Sequence, residues 1–212
     1  MKLQFQVFST IALVASGGTF EFLDNLDQLE SSSTGETSRD ASYICQQYSF
    51  EETVNTSKVF GGLGGEEFTD VKQVRYGVPL NKVILYSGER LDGISLIAEP
   101  VSDPFSLLHH GGKGGREQIF NLETGEFINK FTVQTGRKDG GDRIRYIKLD
   151  TNRNRSFEGG TRAKDDFGLH QVDAPPGFMM TGCHGRAKDE IDALGAVFVK
   201  VSDHICKSSK KT

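Results

Sequence analysis

The chain has 212 residues, of which 25 are glycine and only 5 proline; at the ordinary usage of about 7%, a chain this long holds about 15 glycines. No Gly-X-Y register accompanies the excess, which excludes collagen, and 36% hydrophobic residues with 15 phenylalanines exclude a simple disordered linker. Lys and Arg number 25 against 29 Asp and Glu, so a net charge of −4 offers no global positive field to nucleic acid or an anionic membrane.

In chain order, residues 1–16 read as a signal peptide. Met1-Lys2 supplies the basic start, Phe8 to Ala15 the apolar run, and Val14-Ala15-Ser16 the small residues of a cleavage point. The run is too short to span a bilayer, so no membrane span is expected. Its removal takes Lys2 with it and moves the net charge from −4 to −5.

Residues 17–54 form a polar N-terminal extension. Phe22, Leu23, Leu26 and Leu29 recur at helical spacing and permit one short amphipathic helix, and SSSTGETSRD after it reads as linker; a disordered leader or pro-segment is the simpler account of the stretch. Asn55-Thr56-Ser57 and Asn154-Arg155-Ser156 are candidate N-glycosylation sequons, consistent with secretion.

Cys45, Cys183 and Cys206 are an odd count, which in an oxidising compartment gives one disulfide and one leftover thiol. Cys45 to Cys206 would staple the extension to the end of the chain, and Cys183 to Cys206 is the competing pair. The five histidines, His109, His110, His170, His184 and His204, form no CxxC or HExxH pattern with the cysteines or acids, so no metal or other cofactor is expected.

From Val59 onward, short apolar runs are cut by Gly, Asp and Asn about every ten residues: KVILYSG, GISLIAE, EFINKFTV, RIRYIKL and GAVFVKV. Val197, Val199 and Val201 fall on one strand face, with Ala196 and Phe198 on the other. No segment here sustains a 3.6-residue stripe, so residues 55–202 are read as an all-β domain, followed by a basic tail over 203–212.

A repeat is visible inside this domain. Gly61-Gly62-Leu63-Gly64-Gly65 returns 50 residues later as Gly111-Gly112-Lys113-Gly114-Gly115, and Asp92, Asp142 and Asp192, also 50 apart, each precede an apolar run. Three such units suggest a closed threefold assembly of sheets, since each unit buries its apolar face only against its neighbours; a propeller needs about four to eight blades. The third glycine loop should fall at 161–165, where TRAKD has lost its glycines. Glycine loops beside a carboxylate bring bare N–H groups and a strong acceptor together, which suits a polyhydroxylated ligand. Equally, the glycines close tight turns and the aspartates tie down the residues before a strand. Both readings stand on the repeat alone.

Over about residues 58–202 the sequence resembles the jacalin-related lectin family. The resemblance is carried by ordered motifs: FGGLGGEEFTD from Phe60, SGERLDGI from Ser87, HHGGKGGREQIFNLETGEFI from His109, DTN from Asp150 and GCHGRAKDEIDALG from Gly182. It implies a β-prism of three Greek-key four-stranded sheets with pseudo-threefold symmetry, which binds sugars without a metal and without altering them. It also implies a first site in which Gly65 and the loop Lys188-Asp189-Glu190-Ile191-Asp192 offer backbone N–H groups and Asp192 accepts from sugar hydroxyls. Lys188 stands where the family has Gly, and a positive φ at that position would strain it by about 1 kcal/mol. Asp189 and Glu190 leave that site without an apolar platform.

A second site of the kind some mannose-binding members carry is implied at Gly88, Arg90, Leu91 and Asp92 with Gly115, where Gly-x-x-x-Asp is complete. At the third position, Asp142 with 161–165, no such sugar site is expected; Arg162 and Lys164 read as exposed loop charges, with an anionic ligand as the alternative. The stretch VNTSKVF before the first loop shows no processing signal, which tilts the reading from galactose toward mannose or glucose. A single sugar should bind at about millimolar strength, roughly −4 kcal/mol, so useful affinity would come from two sites or from a homo-oligomer on a multivalent glycan.

Two other classes stand beside a secreted lectin. A β-prism that has lost sugar binding could serve as a protein-interaction module directed at another organism, a reading motivated by Lys188, Asp189 and Glu190. A glycosidase needs two carboxylates about 5–10 Å apart, and the candidate aspartates belong to separate repeats.

Overall fold

A computed structural model describes residues 50–98, 107–138 and 141–202. The expected signal peptide, nearly all of the polar extension, the basic tail, and Cys45 and Cys206 lie outside those residues. A single helical turn, Phe50–Thr53, leads into β1 (Val54–Thr56), β2 (Phe60–Gly61) and β3 (Glu66–Thr69). The first repeat follows as β4 (Leu80–Ser87), β5 (Leu91–Ala98), β6 (Leu107–Gly111) and β7 (Arg116–Asn121), and the second as β8 (Ile128–Lys138), β9 (Gly141–Thr151), β10 (Ser156–Gly160) and β11 (Leu169–Asp173). The hairpin β12 (Phe178–Ala187) and β13 (Ile191–Lys200) completes the fold.

Each repeat is a central antiparallel hairpin with one outer strand on either side. The order is β6-β5-β4-β7 in the first sheet and β10-β9-β8-β11 in the second. In the third, β12 and β13 form the hairpin, β3 pairs with β12, and β1 and β2 share the free edge of β13. One unit of the threefold is therefore closed by the two ends of the domain, which is why its glycine loop precedes its aspartate in sequence. The second and third sheets touch edge to edge through one pair, Met180 with Ile128. Where β1 and β2 part, the Ser57 hydroxyl takes the backbone N–H of Ala196 at 2.9 Å and the Ser57 N–H donates to the Ala196 carbonyl, so the break leaves no buried amide unpaired.

The inner faces of the three sheets meet in one core, with Val83, Leu85, Leu96, Phe131, Ile147, Leu149 and Phe198 among its fully or almost fully buried members. Strand β13 is buried on both faces, so its alternation divides between two cores: Ala196 and Phe198 join the central one, while Val199, with Val201 just past the strand's end, packs with Met179 in a second cluster. Cys183 lies in the central core as a free thiol with no exposed surface, and burial pushes its pKa up. Both sequon asparagines are exposed; Asn154 holds a turn at φ 58°, a left-handed conformation that Asn tolerates.

The 50-residue period holds for the start of each second hairpin strand, at Leu91, Gly141 and Ile191, but not for the hairpin's geometry. In the first hairpin Tyr86 faces Gly93 and Ser87 faces Leu91, so Asp92 is the extra residue of a bulge. In the third, Arg186 faces Ala193 and Ala187 faces Ile191, and Asp192 is extra. In the second, Gln134 faces Tyr146 and Thr135 faces Ile144; the extra residue is Arg145, and Asp142 simply pairs across with Arg137.

Candidate functional site

A bulge re-aims the side chain of the residue it leaves unpaired, and here it decides what each glycine loop faces. The backbone frame is the same three times. Gly62 N–H donates to the Asp192 carbonyl, Gly112 N–H to that of Asp92, and Thr161 N–H to that of Arg145, all at 2.9 Å. At the start of each loop Gly61, Gly111 and Gly160 take positive φ, and a Cβ on any of them would sit 2.1–2.3 Å from the same three carbonyl oxygens. Arg145, not Asp142, thus holds the aspartate's place in the second repeat, because β8 and β9 run on past the bulge to Lys138 and Gly141.

The loops also interleave around the end of the prism. A Cβ on Gly62 would lie 2.1 Å from the carbonyl oxygen of Asp142, and one on Gly112 would lie 2.3 Å from that of Asp189. The Thr161 hydroxyl closes the ring by donating to the Gly88 carbonyl at 3.3 Å. Gly62 and Gly112 therefore serve close packing between repeats, and the last two glycines of the two glycine loops face the aspartates. Gly65 and Gly115 take φ of 63° and 68°, and a Cβ on either would lie 2.8 Å from Oδ2 of Asp192 or Asp92.

At the first site, Asp192 is only 8% exposed, and none of the hydrogen bonds or ion pairs among the described residues uses its carboxylate. A nearly buried carboxylate facing glycine amides and left without a protein donor is costly to fold around and open to a ligand's hydroxyls. Lys188 and Asp189 are exposed at the turn, where Lys188 N–H donates to the Glu190 carbonyl at 3.1 Å. Lys188 has no positive φ, and neither has Gly88, so the expected strain does not arise; a Cβ on Gly88 would meet only the Gly115 Cα at 4.0 Å. Glu190 ion-pairs with Arg90 and Arg143.

The second site has the same frame and a charged neighbour that the first lacks. Asp92, also 8% exposed, has Arg90 Nε 3.2 Å from its Oδ1. Leu91, like its counterpart Ile191, is fully buried in the core and offers the site only backbone. Arg90 and Glu190 thus bind each other across the end of the prism and link the two loops.

Arg186 is a residue of the first site that the repeat did not reveal. Its Nε and Nη2 donate to the carbonyls of Gly64 and Gly65 at 2.9 Å and its Nη1 to Glu67 at 2.7 Å, which clamps the loop beside Asp192. Gln134 holds the corresponding place in the second repeat, donating to Asp165 and Phe167 carbonyls and accepting from Ala163 N–H. The bulge puts these two residues in register; the 50-residue period would have matched Arg186 with Gly136. Arg162 is paired with Asp166 at 2.7 Å on the exposed loop. Among the described residues, no group of three or more His, Cys, Asp and Glu is placed to hold a metal ion, and no helix is long and apolar enough to cross a membrane.

Three Greek-key sheets about a pseudo-threefold axis, with glycine loops meeting hairpin bulges at one end, define a β-prism of the lectin type. The family profile of the Jacalin-like lectin domain matches residues 57–197, and the chain belongs to that family. It is 28% identical over 151 residues to Secreted RxLR effector protein 19 of Plasmopara viticola, covering 70% of this chain and 82% of that protein. Among solved structures it resembles the artocarpin–mannotriose complex at 23% identity and TM-score 0.58, covering 69% of this chain and 97% of artocarpin. It also resembles AcmJRL, a mannose-binding jacalin-related lectin from Ananas comosus, at 16% identity and TM-score 0.57, covering 69% and 98%.

Proposed function

We propose that the protein is a secreted lectin for mannose- or glucose-type glycans. The observation that carries this reading is Asp192: a nearly buried carboxylate, without a partner among the described residues, set against Gly64 and Gly65 at positions where any side chain would fill the space. The sugar's hydroxyls donate to that carboxylate and accept from the loop amides, and no bond is made or broken. Site one leads and site two follows, because Asp92 must exchange Arg90 for the ligand. Residues 1–16 serve as the secretion signal, the Cys45–Cys206 bridge ties the extension to the tail, and Asn55 and Asn154 are available for glycosylation. Mannose-binding relatives in the same fold support the sugar class. Two sites per chain, or a homo-oligomer, raise millimolar single-sugar binding to a useful level on a branched glycan.

Likeness to a protein named as a secreted effector, together with the Arg90–Glu190 pair that ties the two loops to each other, favours a second reading: an interaction module acting on another organism's proteins. A glycan array separates the two. The lectin reading expects binding to mannose- or glucan-bearing glycans by the wild type, reduced in Asp192→Ala and Asp92→Ala and lost in the double variant. A blank array with capture of a specific protein supports the interaction module, and wild-type binding by the double variant overturns the site assignment.

A further inference from the structure

The second repeat carries a cleft of opposite chemistry in the position where the other two repeats hold their aspartates. Arg145 occupies the bulge, its carbonyl takes the Thr161 N–H as its counterparts take Gly62 and Gly112, and its Nε donates to the Thr161 carbonyl at 2.9 Å. None of the ion pairs among the described residues includes Arg145. It lies between two adjoining clefts of about 490 and 770 Å³, and Arg137 lines both with it. The smaller cleft also presents Arg90 and Arg143, with Glu89 as its one acidic lining residue among the described residues. The larger presents Asp142, Asp165 and Phe167, whose ring is 85% exposed.

We propose that this cleft binds an acidic sugar residue, its carboxylate or sulfate on Arg145 and Arg137 and its ring against Phe167. A guanidinium forks two parallel N–H groups onto a planar or tetrahedral oxyanion, which a neutral sugar cannot exploit. Arg137 reaches Asp142 at only 3.6 Å with both side chains largely exposed, so an incoming anion exchanges with that carboxylate at small cost. Arg90 and Arg143 are held by Glu190 and set the positive wall of the cleft rather than the contact itself. The exposed aromatic ring argues for a saccharide over a bare ion, because an apolar ring face has something to cover. The cleft shares Arg90, in its wall, with the second neutral-sugar site, while the residues that make the proposed contacts, Arg145, Arg137 and Phe167, belong to neither neutral-sugar site.

The test is calorimetric titration of the full mature chain, in the Asp92→Ala/Asp192→Ala background, with tetragalacturonate, sulfated maltotetraose and neutral maltotetraose at low and physiological salt. The expected result is binding of at least one acidic oligomer that weakens with salt, no binding of the neutral one, a loss of at least tenfold in Arg145→Ala and a severalfold loss in Phe167→Ala. The tighter of the two acidic oligomers identifies the anionic group. Equal binding of neutral and acidic oligomers, or unchanged binding in both variants, overturns the proposal; so does competition by inorganic sulfate as strong as that by the oligomer. If Arg145→Ala does not fold, the exposed Phe167 supplies the deciding variant. Failure of the neutral-sugar sites would be read separately, from the wild type against the double aspartate variant on mannosides.

Discussion

Removing the Asp192 carboxylate separates binding from folding more cleanly than any other single change in this domain. Asp192 is 8% exposed and its carboxylate takes no part in the ion pairs or hydrogen bonds among the described residues, so Asp192→Ala deletes a desolvated charge without orphaning a partner. Stability should hold or rise, with Tm within the roughly 2–4 °C that 1 kcal/mol produces in a domain of this size. Binding should fall much further. A hydrogen bond to a charged acceptor contributes about 1.5–3 kcal/mol, and losing one raises Kd about ten- to a hundredfold from a millimolar start. Titration of methyl mannoside followed by amide shifts of Gly64 and Gly65 would read this directly. Asp92→Ala should cost less, because Arg90 already holds that carboxylate at 3.2 Å. Unchanged mannoside binding in Asp192→Ala with its loss in Asp92→Ala would refute the ranking, and a Tm drop of more than about 8 °C, about 2 kcal/mol or more, would refute the claim that Asp192 has no structural role.

Other expectations follow from contacts away from the aspartates. Asp70, 1% exposed, accepts from Cys183 N–H at 2.7 Å and lies 2.8 Å from His110 Nε2; Asp70→Ala should destabilise by about 3–5 kcal/mol in chemical denaturation, since it strips a buried network of its acceptor. Gly112→Ala puts a methyl 2.3 Å from the Asp189 carbonyl oxygen and should cost about 1–3 kcal/mol; because Asp189 belongs to the loop of the first site, binding there should weaken with it, measurable as a lower Tm together with a raised Kd at that site. Burial holds the pKa of His109 and His184 below the usual 6.5. Because the unfolded chain then binds more protons, stability should be fully present above about pH 6.5 and decline as pH falls toward the lower folded values, which urea melts across that range would show. Cys183, fully buried with its thiol pKa raised, should escape alkylation in the native protein and react once guanidinium unfolds it, read by peptide mass spectrometry.

The sequence alone determined the architecture. Strand periodicity and a 50-residue spacing are local and additive, so the all-β class and the three repeats could be counted from residues, whereas the closure of one repeat by the two ends of the domain came from the strand pairing. The opposite faces of Val199 and Val201 against Ala196 and Phe198 were also legible, because alternation along a strand survives any packing, but that both faces are buried, in two cores, was not. What only the tertiary structure decided is where each hairpin bulges. A one-residue bulge changes the register of every pair beyond it, and nothing in the composition of NKFTVQTGRKDGGDRIRY marks Arg145 rather than Asp142 as the extra residue. That shift turns the third aspartate outward to pair with Arg137 and installs an arginine in its place. Long-range placement likewise decided the charges: Glu190 and Arg90, counted to different sites along the chain, meet across the end of the prism. The glycine doublets had two roles that sequence could not apportion, and only the approach of a neighbouring carbonyl or a buried carboxylate tells which glycine serves packing and which serves the ligand.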